Sequence, residues 1–384
     1  MLPEGRTLRA TREDAFRRKA ERLLARAGVA IDGPNDWDFQ VRDPRVFQRV
    51  FAQGSLGLGE AYMDGWWDAR RLDQFFHRVI AARLDRDIRP LSVLSTYLKA
   101  RLLNLQTQAR AWQVGRAHYD LGNDLYRAML DRRMVYSCGY WSEGARTLDE
   151  AQEAKLDLVC RKLALQPGQR VLDIGCGWGG FARFAAERYG VRVVGVTISE
   201  RQLEMARERC AGLPVELHLR DYRDLDGEFD RIVSIGMFEH VGHKNHRAYF
   251  EVARRVLRPD GLFLLHTIGD EISNAGTDPW IERYIFPNGD IPSLAQIAGA
   301  VEDLFVIEDV HNFGADYDRT LMAWLENFER AWNGLRARYD ERFRRMWRFY
   351  LCSCAGAFRA RQLQVYQLVL SPGGVPCGYR RTGT

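Results

Sequence analysis

The sequence predicts an α/β fold, a mostly parallel sheet covered by helices on both faces, preceded by a smaller helical domain. Three observations predict it. From residue 147 onward, short apolar segments rich in Val and Ile alternate with helical patterns, the grammar of a parallel sheet buried on both faces. One of these strands runs into a glycine-rich turn and a helix start at 171–180. The first hundred residues lack this alternation and read as helical and arginine-rich. At 384 residues the protein is long enough for two domains.

In sequence order, apolar positions recur at helical spacing over 8–27 (Leu8, Ala15, Phe16, Ala20, Leu23, Leu24, Ala27) and stop at Gly28. Further helical patterns cover 46–51 and 72–82, with Gly54, Gly57 and Gly59 as punctuation and Trp66 and Trp67 as expected core anchors or an interdomain contact. These elements form an expected helical N-terminal domain over 1–105, and the polar stretch 104–116 is its linker. A catalytic domain is expected over 116–384. It opens with a helix at 148–165, stopped by Pro167-Gly168. Strand 170–174, helix 178–189, strand 191–196, helix 199–211 and strand 215–219 follow. Then come strand 229–235, a helix over about 245–257 and strand 261–267. Beyond 293 the pattern gives one more helix, a strand near 304–310, long arginine-rich helices and a final alternating run over 362–370.

Composition narrows the function classes. With 46% hydrophobic and 28% charged residues the protein is an ordinary globular one. No apolar run reaches the roughly 18–20 residues a membrane span needs, and the start lacks the apolar core of a secretory signal. The 56 basic residues against 51 acidic ones give a net charge of +5, without the dense basic blocks of a nucleic-acid arm. Seven scattered cysteines without a C-x-x-C pair fit a reducing compartment. A cytoplasmic protein without a nucleic-acid partner is the expectation.

The stretch Val171-Leu172-Asp173-Ile174-Gly175-Cys176-Gly177-Trp178-Gly179-Gly180 carries the chemistry. Its glycines let the backbone turn sharply and approach a ligand at a helix N-terminus. No Lys-Ser or Lys-Thr follows, which argues against a P-loop. The G-x-G-x-G spacing, with Asp173 two places before the first glycine, resembles S-adenosylmethionine-dependent methyltransferases. Asp173 could face the cationic end of that cofactor. The second strand ends in Thr197, Ser199 and Gln202, where many nucleotide-binding sheets place a carboxylate. The third ends at Asp221-Tyr222, a polar group and a ring suited to an adenine edge and face. The fourth runs into Glu239-His240. Spaced three apart, His240, His243 and His246 would spread around a helix, so no metal site is expected and Glu239 reads as a pocket carboxylate.

Several further segments make the resemblance specific. They are His118-Tyr119-Asp120-Leu121-Gly122-Asn123-Asp124, Tyr136-Ser137-Cys138-Gly139-Tyr140-Trp141, the G-x-T-x-S-x-x-Q stretch ending at Gln202, and Met237-Phe238-Glu239-His240. His266 with Ile268, Tyr317, and the tail from Cys354 to Gln364-Val365-Tyr366-Gln367-Leu368 complete the set. Together with the glycine turn, they resemble the cyclopropane-fatty-acyl-phospholipid synthase family over about residues 110–371. That family has hydroxyls in place of the carboxylate at the second strand.

The resemblance implies a Rossmann-like class I methyltransferase fold with a mostly parallel seven-stranded sheet. It also implies transfer of the S-adenosylmethionine methyl group to the cis double bond of an unsaturated phospholipid acyl chain. The alkene attacks the sulfonium methyl, a bound bicarbonate ion takes a methyl proton from the resulting cation, and a cyclopropane ring closes. Carried onto this sequence, Cys138, Glu239, His266, Tyr317 and the backbone at Ile268 would hold the bicarbonate, and Cys354 falls at a family cysteine position considered catalytic. Tyr136, Ser137, Asp173, Gly175, Gly177, Gly179, Thr197, Gln202, Asp221 and Tyr222 would contact the cofactor. The substrate lies in a bilayer. The arginine-rich helices near 12–26 and 336–348 are therefore expected to support peripheral association with the inner face of the membrane. Lipid contact or homodimerisation is the expected role of the N-terminal domain. The alternative is a related methyltransferase acting on acyl carbons, which gives an open-chain methyl or hydroxylated product from the same cation.

Overall fold

A computed structural model describes residues 4–84, 122–142, 144–273 and 277–381, with side chains from residue 14 onward. The 104–116 linker and the first half of the 118–124 motif lie outside the described residues.

The inner strands of the sheet are mostly apolar and buried, whereas its two edge strands carry polar residues and are partly exposed. β3 (Arg170–Ile174), β4 (Arg192–Thr197), β5 (Val215–Leu219), β6 (Phe229–Ile235), β7 (Leu257–Asp270), β8 (Val306–Asn312) and β9 (Leu363–Ser371) form seven strands in the order β5-β4-β3-β6-β7-β9-β8. The first five in this order are parallel, while β9 is antiparallel to both β7 and β8. β7 is longer than the 261–267 the sequence suggests, because β9 pairs with it out to Asp270. The strand order switches at β3, with β4 on one side and β6 on the other, so a crevice opens at the carboxyl ends of these strands.

Helices cover both faces, and their ends follow local chemistry. α6 (Leu148–Lys162) begins at a capping box in which Thr147 and Glu150 satisfy each other's backbone N–H groups. α7 (Gly180–Tyr189) ends at Gly190 in the left-handed conformation. α8 (Glu200–Arg209) is capped by Ser199, and α9 (His246–Val256) returns the backbone to β7.

The N-terminal part comprises α1 (Glu4–Arg26), α2 (Arg45–Gln53), α3 (Ser55–Met63), α4 (Leu72–Ala81) and a two-stranded ribbon of β1 (Gln40–Val41) and β2 (Trp67–Asp68). Between it and α6 lies α5 (Asn123–Met129), and α10 (Pro279–Tyr284) and α11 (Leu294–Val301) precede β8. The long helices α12 (Ala315–Leu335) and α13 (Glu341–Arg359) share one hydrophobic core with the N-terminal helices. At Gly356 of α13 a Cβ would stand 2.6 Å from Phe76 Cβ on α4, so only glycine allows this crossing. Trp67 is fully buried and donates to the Leu58 carbonyl at 2.9 Å, which makes it a core anchor. Trp66 lies under the guanidinium groups of Arg45 and Arg49.

The arginines of 336–348 are spent largely inside the molecule. Arg342 pairs with Asp64, Arg344 and Arg348 with Glu329, and Arg345 with Asp68. Trp347 and Phe349 are buried. Nearby, Arg359 bridges Asp73 and Asp318 at 2.8 Å each. α13 is thus a core helix that holds the N-terminal helices in place. Among the described residues no helix is long and apolar enough to cross a membrane.

Candidate active site

The crevice at the carboxyl ends of β3, β4 and β6 opens into a cavity of about 1230 Å³ that extends between the N-terminal helices. One end is built by the glycine turn. The backbone N–H groups of Gly175 and Cys176 both bond to the Val196 carbonyl at 3.0 Å, tying the turn to β4. Gly175 and Gly177 take φ of +87° and +53°, which side-chain-bearing residues rarely adopt. A Cβ at Gly175 would meet Met237 at 2.7 Å, whereas one at Gly177 would meet nothing within 4 Å. Gly179 does not line the cavity. It caps α7, and its missing Cβ admits Ala206 of α8 and Cys210 at the end of that helix.

Asp173 lines this end, fully buried, with Oδ2 unpartnered. Burial raises its pKa to about 7, opposed by the nearby Lys155 ammonium. On β4, the Thr197 hydroxyl donates to Gln202 Oε1 at 3.1 Å, and the Ser199 N–H bonds to the same Thr197 oxygen. A hydroxyl–amide network thus stands where a carboxylate is common. Asp221 and Tyr222 both line the cavity. The Asp221 carboxylate accepts from Arg223, and the Tyr222 hydroxyl has no partner. Tyr136 and Ser137 close this end from the 134–141 segment, and the Tyr136 hydroxyl lies 2.8 Å from that of Tyr350.

The second group surrounds Glu239, on the short turn Phe238–His240 after β6. Glu239 Oε1 accepts from the Ile268 N–H at 2.7 Å, and Oε2 is unpartnered. Burial raises this carboxyl to about 7. His266 of β7 is registered with Ile235 on one side and Gln367 on the other. Its Nδ1 lies 3.3 Å from the Gln367 amide nitrogen, and burial holds its pKa well below the usual value, so the ring is neutral. Tyr317, from α12, packs on Phe358 and lines the same space, its hydroxyl pushed far up by burial. Cys354 of α13 also lines it. Burial pushes its thiol up to about 12, so no thiolate forms at neutral pH. Cys138 does not line the cavity; it is fully buried and its thiol donates to the Gly139 carbonyl at 3.2 Å.

The histidines near Glu239 have separate partners. His243 bonds to Asp290 at 2.7 Å, His246 stacks on Phe238, and His240 packs against Phe286 with its pKa lowered to about 4 by desolvation. No group of three metal-ligating side chains occurs among the described residues. Sequence reasoning missed Lys155, a fully buried lysine that lines the cavity. Its signal was present: a lysine on the buried stripe formed by Leu148, Ala151, Gln152, Leu156 and Val159 of α6. It also gave no part to Gln367, the partner of His266.

Fold and site together define an S-adenosylmethionine-dependent methyltransferase. The protein belongs to the mycolic acid cyclopropane synthetase family, whose model matches residues 106–368. It is 56% identical over 363 residues to the cyclopropane-fatty-acyl-phospholipid synthase of Escherichia coli K12, covering 94% of each sequence. Among solved structures it resembles the cyclopropane synthase MmaA2 from Mycobacterium tuberculosis (TM-score 0.63, 34% identity, 67% of this protein and 97% of that one). It resembles equally the mycolic acid cyclopropane synthase CmaA1 complexed with SAH and CTAB (TM-score 0.63, 36% identity, 67% and 97%).

Proposed function

We propose that this enzyme converts the cis double bond of an unsaturated phospholipid acyl chain into a cyclopropane. The observation that carries the reading is Glu239, a half-buried carboxylate with one oxygen fixed by Ile268 and the other buried and unpartnered, in the same cavity as the glycine turn.

S-adenosylmethionine supplies the electrophilic methyl when bound. The residues present fit it: a glycine cradle, the unpartnered Asp173 carboxylate for its cationic end, and Thr197, Gln202, Asp221 and Tyr222 for the nucleoside. The rest of the cavity suits an acyl tail. Leu23, Leu24, Phe47, Phe51, Phe76 and Val79 of the N-terminal helices line its far arm, which makes this region a lipid-contacting domain in our reading. The rings of Tyr136, Phe286, Tyr317, Tyr350 and Phe358 line the same cavity as Glu239. Rings of this kind tolerate a developing cation while excluding water that would trap it as an alcohol.

Ring closure needs a base for one methyl proton. Bicarbonate supplies that basicity when bound, and Glu239, His266 and Tyr317 are the residues that would hold it. His266 and Tyr317 have N–H and O–H groups to give an anion, and the unpartnered Glu239 oxygen accepts the hydroxyl proton. The Ile268 N–H is already engaged by Glu239, and Cys138 stands outside the cavity, so these two support the site from behind. Turnover that is lost in carbonate-free buffer and restored by added bicarbonate supports this; turnover indifferent to it contradicts it.

The enzyme reaches its substrate, in our reading, by peripheral association with a bilayer through α1, where Arg18, Lys19 and Arg22 are exposed. Vesicle co-sedimentation tests it. Binding should require anionic lipid and weaken with salt, and binding indifferent to both contradicts it. Methyl-labelled S-adenosylmethionine incubated with monounsaturated phospholipid vesicles tests the activity itself, with label expected in the lipid.

A further inference from the structure

The cofactor end of the cavity carries a fully buried lysine that the reaction chemistry does not use. Lys155 Nζ lies 2.9 Å from Ser137 Oγ. An ammonium has donors and no acceptor, so in this pair the Ser137 oxygen must accept. The hydroxyl proton of Ser137 is then left to donate elsewhere, and among the described residues it donates to none. Ser137 lines the cavity and is held rigidly there. Gln152, one turn before Lys155, donates to the Ser137 carbonyl at 2.8 Å, and the Tyr140 N–H bonds to the Ala151 carbonyl at 2.8 Å. One face of α6 therefore clamps the 135–140 segment and backs Ser137 with a positive charge. Burial lowers the Lys155 pKa to about 8, against the pull of Asp131, so the ammonium persists at neutral pH.

Asp173 supplies the complementary group. It is buried, lines the same end of the cavity, and has an unpartnered oxygen. A donor backed by an ammonium and an unpaired carboxylate together match a zwitterionic α-amino acid, whose carboxylate and ammonium need one of each. The amino-acid end of S-adenosylmethionine is such a zwitterion.

We propose that Lys155 is a positioning residue that fixes Ser137 as a hydrogen-bond donor to the α-carboxylate of the cofactor, while Asp173 receives its ammonium. This role rests on the cofactor reading above and adds the residue that orients the cofactor's amino-acid end.

The test compares two ligands on the full-length protein by calorimetry. S-adenosylhomocysteine carries the amino-acid end; 5′-methylthioadenosine keeps the nucleoside and thioether and lacks it. Lys155→Met and Ser137→Ala should each weaken S-adenosylhomocysteine about 10- to 50-fold, the scale of one charge-assisted hydrogen bond. Both should leave 5′-methylthioadenosine within about twofold. The double variant should be no weaker than Lys155→Met alone, because the two residues act in series. Equal losses for both ligands would mean that Lys155 only holds the loop, and unchanged S-adenosylhomocysteine binding would remove the role altogether. Should Lys155→Met fail to fold, Ser137→Ala carries the same comparison, since it deletes only the hydroxyl. Wild-type protein that binds neither ligand would overturn the cofactor reading, and this proposal with it.

Discussion

Glu239 takes the Ile268 N–H on one carboxylate oxygen at 2.7 Å and keeps the other oxygen unpartnered. β6 delivers the first residue and β7 the second, so the register of two parallel neighbours in the sheet fixes the carboxylate's orientation. Desolvation raises this carboxyl to about 7, so it is poised to accept a proton near neutral pH.

Glu239→Gln keeps the shape and the bond from Ile268 but cannot take a proton. Turnover should fall at least about 100-fold, with S-adenosylhomocysteine affinity within about threefold of wild type. Steady-state kinetics and calorimetry separate these effects. An equal loss in both would relocate Glu239 to cofactor binding.

The same substitution has a stability signature. The folded pKa of Glu239 is raised by burial from 4.5 to about 7, so the folded state binds the proton more tightly than the unfolded state does. Stability from this group is therefore present below about pH 4.5 and is lost as pH rises through about 7. Glu239→Gln should match wild type in Tm at about pH 4 and exceed it at about pH 8. The gain is on the order of 3 kcal/mol at most. A gap that does not widen with pH contradicts the burial argument.

Asp173 gives a pH dependence to cofactor binding. Burial raises its carboxyl to about 7 while Lys155 pulls it down, and the cofactor ammonium needs the ionised form. S-adenosylhomocysteine affinity should fall as pH drops from about 7.5 to 5.5, approaching about tenfold per unit below the pKa. Asp173→Asn should bind about 10- to 100-fold more weakly at pH 7.5, with a flatter profile. A wild-type profile as flat as the variant's would exclude Asp173 from the ammonium contact.

Gln367 sets the state of His266. Its amide nitrogen donates to Nδ1, which leaves the ring proton on Nε2. Gln367→Leu should lower kcat about tenfold while leaving cofactor affinity unchanged, because the residue acts through the histidine. Unchanged kcat would show that the tautomer does not matter.

Much of this was legible in the sequence for a physical reason. Buried parallel strands are rich in Val, Ile and Leu, so 170–174 and 229–235 declare themselves even with Asp173 and Ser234 among them, and a glycine turn between strand and helix has few uses. The site residues that strands and tight turns carry, Asp173, Glu239 and His266, meet in one cavity. What the sequence hid depends on long-range packing. Gly179 sits in a cofactor-like motif yet serves helix packing, and Cys138 sits in a motif yet is not among the residues that line the cavity. The arginines of 336–348 look like a lipid-facing stripe until Asp64, Asp68 and Glu329 supply their carboxylates. Lys155 shows in the sequence only as a lysine on an apolar stripe, and its meaning comes from Ser137 and Asp173, which other elements bring to it.

The decisive point is whether the transferred methyl group ends in a ring. Its most direct measurement incubates the full-length protein with S-adenosylmethionine carrying a labelled methyl and vesicles of a monounsaturated phospholipid, then analyses the released fatty acids by mass and double-bond content. Cyclopropanation predicts labelled fatty acids heavier by one CH₂, with the double bond consumed and no added water. Labelled products that retain an alkene or carry a hydroxyl, or lipid that takes up no label, would contradict it.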